Sequence, residues 1–249
     1  MKKTTSYIIA GVSAAVVLSL VSFLLGRSLA TRPDPTAEAE PAPATDSPVL
    51  HVTVGNSEHV WGWGPGGAAY RWDKDGWHRE TAIVSQISAA ADGTVWKLND
   101  VGNPYLRKGT SWAKQKGRLR QIAIGSAKEV WGIDNRHRPR RWDGKAWKVR
   151  PGKLLRISVS ADGTVWGLSR DRLPVQRVGN KWKKKKGTKL LDIAVGSKTE
   201  VWGIDEQNRT VRLNGDKFEV VMESPKAVDL DVGADGTVWF VRAVSAIAP

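Results

Sequence analysis

The sequence predicts an all-β repeat protein, a propeller of six four-stranded units, and three observations carry that prediction. A Val-Trp dipeptide recurs six times, at Val60-Trp61, Val95-Trp96, Val130-Trp131, Val165-Trp166, Val201-Trp202 and Val238-Trp239, with successive Trp residues 35–37 positions apart. A second aromatic series, Trp77, Trp112, Trp147, Trp182 and Phe218, follows each of the first five pairs by 16 residues. Turn chemistry punctuates every unit, with Asp-Gly at Asp92-Gly93, Asp143-Gly144, Asp162-Gly163 and Asp235-Gly236. Two phased series at one period describe a supersecondary unit that buries its apolar face only against its neighbours.

Residues 122–147 show the elements of one unit. Ile122 and Ile124 alternate with small residues, as in a half-buried strand. Gly125-Ser126 starts a turn, and Val130 to Ile133 is a short apolar strand. Arg140-Arg141-Trp142 begins a third strand, Asp143-Gly144 turns it, and Ala146 to Val149 is the fourth. Radial packing of four-stranded sheets hides edges that would otherwise invite aggregation. In this arrangement Trp61, Trp96, Trp131, Trp166, Trp202 and Trp239 are wedges between blades rather than ligand platforms. The sixth unit is short: the few residues after Trp239 allow two or three strands, with Ala243 to Ala248 or Val49 to Val54 as candidates to complete it.

The strings Val195 to Asp205, Ile124 to Asp134 and Val159 to Leu168 resemble tectonin repeats, as does the alternation of the two repeat types. The resemblance covers residues 49–242 and departs from the pattern at Lys97 and Phe240, which replace the Gly that follows Trp elsewhere. It departs again along the third strand, where the position of Trp72 and Trp142 becomes Arg107, Arg177 and Leu213. Tectonins include sugar-binding lectins of invertebrate blood and fish eggs, so the resemblance implies a six-bladed propeller that recognises surface glycans.

Ahead of the repeats, residues 1–5 are a short basic segment. Residues 6–26 are an uncharged apolar run, long enough at 1.5 Å per residue to cross a bilayer core of roughly 30 Å. It reads as an uncleaved signal anchor; a signal peptide cleaved after Ser28-Leu29-Ala30 is the alternative. Lys2 and Lys3 favour an outside, periplasmic or extracellular, propeller. Residues 27–48 form a Pro-, Ala- and Glu-rich linker, and residues 49–249 are the propeller.

Charge points to partners. Of the net +14, residues 107–189 hold 25 Lys/Arg against 5 Asp/Glu, while the rest of the propeller holds 10 against 16. In an up-and-down blade the loops after strands two and four share one face, and the basic residues collect there. The candidate anion-binding residues are Arg118, Arg136, Arg138, Arg150, Lys153, Arg170, Arg172, Lys183, Lys184, Lys185 and Lys186. The partners expected are an anionic glycan, a lipopolysaccharide-like or phospholipid surface, with a protein partner as the alternative; the anchor argues against nucleic acid. No cofactor and no catalytic constellation is expected. The four His have no zinc-like spacing and there is no Cys, so neither a metal site nor thiol chemistry is expected.

Overall fold

A computed structural model describes residues 7–10 (backbone only), 48–185, 187–221 and 226–242. Five sheets are four-stranded antiparallel meanders. Blade 1 comprises β2 (His51–Val54), β3 (Val60–Trp63), β4 (Ala68–Asp73) and β5 (Gly76–Ile83). Blade 2 comprises β6 (Gln86–Ala89), β7 (Val95–Leu98), β8 (Pro104–Lys108) and β9 (Ser111–Lys114). Blade 3 is β10 (Gln121–Ser126), β11 (Glu129–Ile133), β12 (Pro139–Trp142) and β13 (Trp147–Val149). Blade 4 is β14 (Arg156–Val159), β15 (Val165–Leu168), β16 (Pro174–Val178) and β17 (Lys181–Lys184). Blade 5 is β18 (Leu190–Val195), β19 (Val201–Asp205), β20 (Thr210–Asn214) and β21 (Lys217–Val220). There is no α-helix among the described residues, only a 3-10 turn at Pro65–Gly67.

Five four-stranded blades are described rather than the six blades expected, and the remaining sheet has three strands. It contains β22 (Ala227–Val232) and β23 (Val238–Arg242), and its third strand is β1 (Tyr7–Ala10), paired in parallel with Val238 to Val241. The membrane helix expected over residues 6–26 is therefore not found at its start. Tyr7–Ala10 is extended, and residues 11–47 lie outside the described residues. The physical reason is the edge of β23: among the described residues no strand that follows it in the chain pairs with it, its backbone groups need partners, and an Ile-Ile segment with high strand propensity supplies them. Val49 to Val54 does not complete this sheet, because β2 pairs with β3. Ala243 to Ala248 lies outside the described residues.

The second strand of each blade is sandwiched between two neighbouring sheets, which is why it reads as a continuous apolar run rather than an alternation. The six Val-Trp tryptophans are 0–3% exposed. Each wedges into the next sheet. Trp131 packs with Leu154, Ile157, Val165 and Val175 of blade 4. Trp166 does so with Leu190, Ile193 and Val201 of blade 5. Trp202 meets Leu230 and Val238 of the last sheet, and Trp239 meets Val52 and Val60 of blade 1. The second aromatic series sits further out. Trp147 and Trp142 stack edge-on against Trp96 at 5.9 and 5.7 Å, as Trp77 and Trp72 do against Trp239 at 5.8 and 5.2 Å.

Side chains of the inner strands fasten each blade to the next. Backbone N–H groups donate to side-chain oxygens one repeat back: Ile122 to Gln86 Oε1 at 2.8 Å, Ile157 to Gln121 Oε1 at 3.0 Å, and Val52 to Asp229 Oδ2 at 2.8 Å. A second ring runs alongside, with Ala89 N–H to Thr53 Oγ1, Ile124 N–H to Ser88 Oγ, Val195 N–H to Ser158 Oγ and Val54 N–H to Asp231 Oδ2. Each of these satisfies a buried backbone donor.

The alternation of repeat types has a mechanical cause. The Asp of each even hairpin reaches the turn of the following unit, with Ala127 N–H donating to Asp92, Lys198 N–H to Asp162 and Ser57 N–H to Asp235. The odd turns begin with Gly because they lie directly against the even hairpins. A Cβ on Gly125 would stand 2.0 Å from Ser160 O, a clash with backbone that cannot move aside.

Candidate functional site

The loop after each second strand is a tight turn whose fourth residue has positive φ, at His137 (63°), Arg172 (61°) and Asn208 (61°). Its carbonyl accepts the N–H of the Leu or Ala that leads into the next blade, as in Leu154 N–H to His137 O at 2.9 Å and Leu190 N–H to Arg172 O at 2.9 Å. Arg172 thus has a structural backbone role, and its guanidinium lies 3.5 Å from Glu206.

Several candidate cations are held by carboxylates. Arg138 Nε donates to Asp134 Oδ2 at 2.9 Å, and Arg140 joins it at 2.8 Å. Burial alone would raise the Asp134 carboxyl, but the Arg138 backbone N–H, both guanidiniums and the Arg136 N–H hold it at about 2. This cluster braces the loop, as Arg209 and Asp205 do in blade 5. Arg138, a ligand candidate by sequence, is thus held in an ion pair that braces the loop. Lys184 lies 3.6 Å from Asp171, and Lys185 pairs with Asp216. Arg118 donates to Val101 O, and Lys153 Nζ to Arg136 O. Arg136, Arg170 and Lys183 are exposed and have no carboxylate partner among the described residues. Lys186 lies outside the described residues.

Three depressions are relevant. A cleft of about 720 Å³ between blades 4 and 5 gathers Lys183, Lys184, Lys185 and Lys217 beside Val178 and Phe218. A second, of about 350 Å³ between blades 3 and 4, is lined by Arg141, Arg150 and Arg177 around Glu129 and Trp131. Arg177 and Arg141 lie over the Trp131 ring, 4.8 and 6.0 Å from its centroid. The third, of about 100 Å³, is the axial channel, lined by Asp192, Asp229 and Asp231, with Arg156 beside Asp192 and His51 beside Asp229.

Of the residues expected from sequence, the Lys cleft brings together Lys183 to Lys185, and the arginine cleft uses Arg150 alone. Arg141, Arg177 and the channel acids went unrecognised. The alignment of the repeats marks Arg107 and Arg177 at one third-strand position, and Arg71 and Arg141 stand one residue before that position in their own repeats; the signal lay in this two-repeat recurrence of the pair. Among the described residues no three His, Asp or Glu side chains come together as a metal site.

Comparison with known proteins agrees with this architecture. No curated protein matches the chain. Among solved structures, YCF48 bound to D1 peptide is similar at 17% identity, with a TM-score of 0.50, over 74% of this chain and 70% of that one. The WD40 propeller domain of Doa1 is similar at 12% identity, with a TM-score of 0.54, over 76% and 88%. The extracellular domain of the two-component system BT3049 from B. thetaiotaomicron is similar at 11% identity, with a TM-score of 0.50, over 70% of this chain and 28% of that one. These likenesses establish the propeller fold alone. The family profile described as Tectonin domain matches residues 44–190, more than half of the sequence, and the chain belongs to the tectonin family.

Proposed function

We propose that this tectonin propeller is a non-enzymatic binding protein that recognises anionic surface glycans or lipid head groups through the Lys cleft of blades 4 and 5 and the adjoining loops. The observation that carries the reading is the concentration of 25 Lys/Arg against 5 Asp/Glu in residues 107–189, with Arg136, Arg170 and Lys183 left exposed and unneutralised. Clustered cations attract polyanions, and their attraction falls with salt as the screening length drops to about 8 Å at 0.15 M. The last sheet acts as a sixth, incomplete blade, since Asp229 and Asp231 fasten it to blade 1 as neighbouring blades are fastened to each other.

Charge reversal at Arg136, Arg170 and Lys183 to Glu should weaken cosedimentation with phosphatidylglycerol vesicles or binding to uronic-acid glycans by about tenfold or more. Reversal of Lys128 and Lys145, on turns of the opposite face, should do far less. Equal losses in both variants would reduce the effect to net charge. No loss in either would favour a protein-interaction scaffold, a reading supported by Ile83, Val149, Val178 and Val220, exposed on the outer strands or beside them.

The apolar run of residues 6–26 is the proposed membrane tether in a state where Tyr7–Ala10 has left the edge of β23, with 27–48 as the spacer and the propeller outside the cytoplasm. The chain should then fractionate with membranes and be cut by protease added to intact spheroplasts. A soluble protein whose first residue is Thr31 would replace the anchor with a cleaved signal, and a protected propeller would reverse the topology.

A further inference from the structure

The repeats supply an internal control for the arginine cleft. At the junction of blades 1 and 2, Arg71 and Arg107 flank Trp61, and Glu80 on β5 bridges them. Its carboxylate is 3.6 Å from Arg71 Nε and 3.3 Å from Arg107 Nη2. Arg107 also lies over the Trp61 ring at 4.5 Å. The junction of blades 3 and 4 repeats this arrangement with Arg141, Arg177 and Trp131. At the position of Glu80, however, counted from the Val-Trp tryptophan, it has Arg150. The internal carboxylate is replaced by a third guanidinium.

The consequences appear in the hydrogen bonding. Glu129 neutralises Arg141, with Nη2 2.6 Å from Oε1. Arg150 and Arg177 have no carboxylate partner among the described residues, and Arg177 donates only to Asn180 Oδ1 at 3.0 Å. Arg141 Nε, Arg150 Nε and Arg177 Nη1 are buried without an acceptor in the protein; Arg107 Nη1 at the first junction and Arg212 Nε in blade 5 are left in the same way, so Arg150 Nε is the donor particular to this cleft. Buried donors on charged groups are costly to leave unmet. Three like charges around one cleft have a use when an anion from outside joins them.

We propose that the Arg141–Arg150–Arg177 cleft binds the carboxylate of a small acidic ligand, seated where the first junction places the carboxylate of Glu80. Charge favours a monocarboxylate. Two Arg and one Glu leave +1 at the first junction, and three Arg with Glu129 leave +2 here. One carboxylate restores +1, and guanidinium forks match its planar pair of oxygens. The site is separate from the Lys cleft of blades 4 and 5 and does not depend on it.

The test uses the full chain, ¹⁵N-labelled at arginine, titrated at fixed ionic strength with sodium glucuronate, sodium phosphate or glucose. Glucuronate should shift the Arg141 and Arg150 Nε–H signals saturably and leave Arg107 still, and glucose should shift none of them. Arg150→Glu, which restores the arrangement of the first junction, should weaken glucuronate binding by roughly tenfold or more with the fold intact. Arg150→Gln should weaken it less, and it provides the same comparison if the Glu variant fails to fold. Absence of a saturable shift, or undiminished binding in both variants, would overturn the proposal. Tighter binding of phosphate than of glucuronate would overturn the assignment to a carboxylate.

Discussion

Trp131→Ala should lower the unfolding free energy by roughly 3–5 kcal/mol, the range for deleting a packed large aromatic. Trp131 is buried between blades 3 and 4 against Leu154, Ile157, Val165 and Val175, and a rigid ring of blades can collapse little into the void. Its indole also donates to Glu129 Oε2 at 3.1 Å and carries Arg177 on its face. Trp166 is an informative contrast. It is 1% exposed, but its Nε1 has no acceptor in the protein. Trp166→Phe should therefore cost little beyond lost volume, on the order of 1–2 kcal/mol. Trp131→Phe should cost more, since Glu129 loses a donor and Arg177 its best platform. Urea unfolding followed by far-ultraviolet circular dichroism measures both. A cost below about 1.5 kcal/mol for Trp131→Ala would mean that the Trp is not a wedge.

The blade was legible because its determinants are local. Val-Trp marks a strand buried on both faces, and Asp-Gly fixes a hairpin whose Gly93, Gly163 and Gly236 do take positive φ. The last unit was legible only as short. Nothing local tells Tyr7-Ile-Ile-Ala that the edge of β23 is open some 230 residues away, and by composition it reads as part of an apolar run. The candidate site was harder for the same reason. Arg138 looks like a free loop cation until Asp134, four residues earlier, folds beneath it. Arg141, Arg150 and Arg177 come from three strands or strand ends of two blades, and their environment depends on what stands opposite. The Glu80-to-Arg150 exchange becomes visible once the repeats are aligned and the partners of Glu80 are known.

The axial channel sets the pH dependence of stability. Burial pushes the Asp192 carboxyl up to about 7, with the Asp229 charge adding to it and Arg156 opposing. Burial pushes Asp231 up to about 7 as well, against the Val54 and Val232 N–H groups and the Thr53 hydroxyl, which favour the anion. His51 is raised by its hydrogen bond to Asp229, 3.5 Å away, against burial. Each folded value lies above its unfolded one. For Asp192 and Asp231 the folded state therefore holds extra protons from about pH 4 to 7, and the stability they supply is complete below that window and lost as pH rises through it; the His51 contribution is complete below 6.5 and is lost as pH rises above that. Asp134 acts with the opposite sign: held at about 2, it supplies stability above 3.8 that disappears as pH falls from about 4 to 2. Stability should peak near pH 4, and the melting temperature should be several degrees higher at pH 5.5 than at pH 8.5. Asp231→Asn keeps an oxygen for the Val54 N–H and removes the charge, so it should raise the melting temperature at pH 8.5 and flatten the profile. Asp192→Asn should act in the same direction and serves if Asp231→Asn fails to fold. Scanning calorimetry at constant ionic strength decides the matter. A wild-type profile that is flat or rises from pH 5.5 to 8.5 would rule out charged acids in the channel as the cause, as would an unaltered slope in both variants.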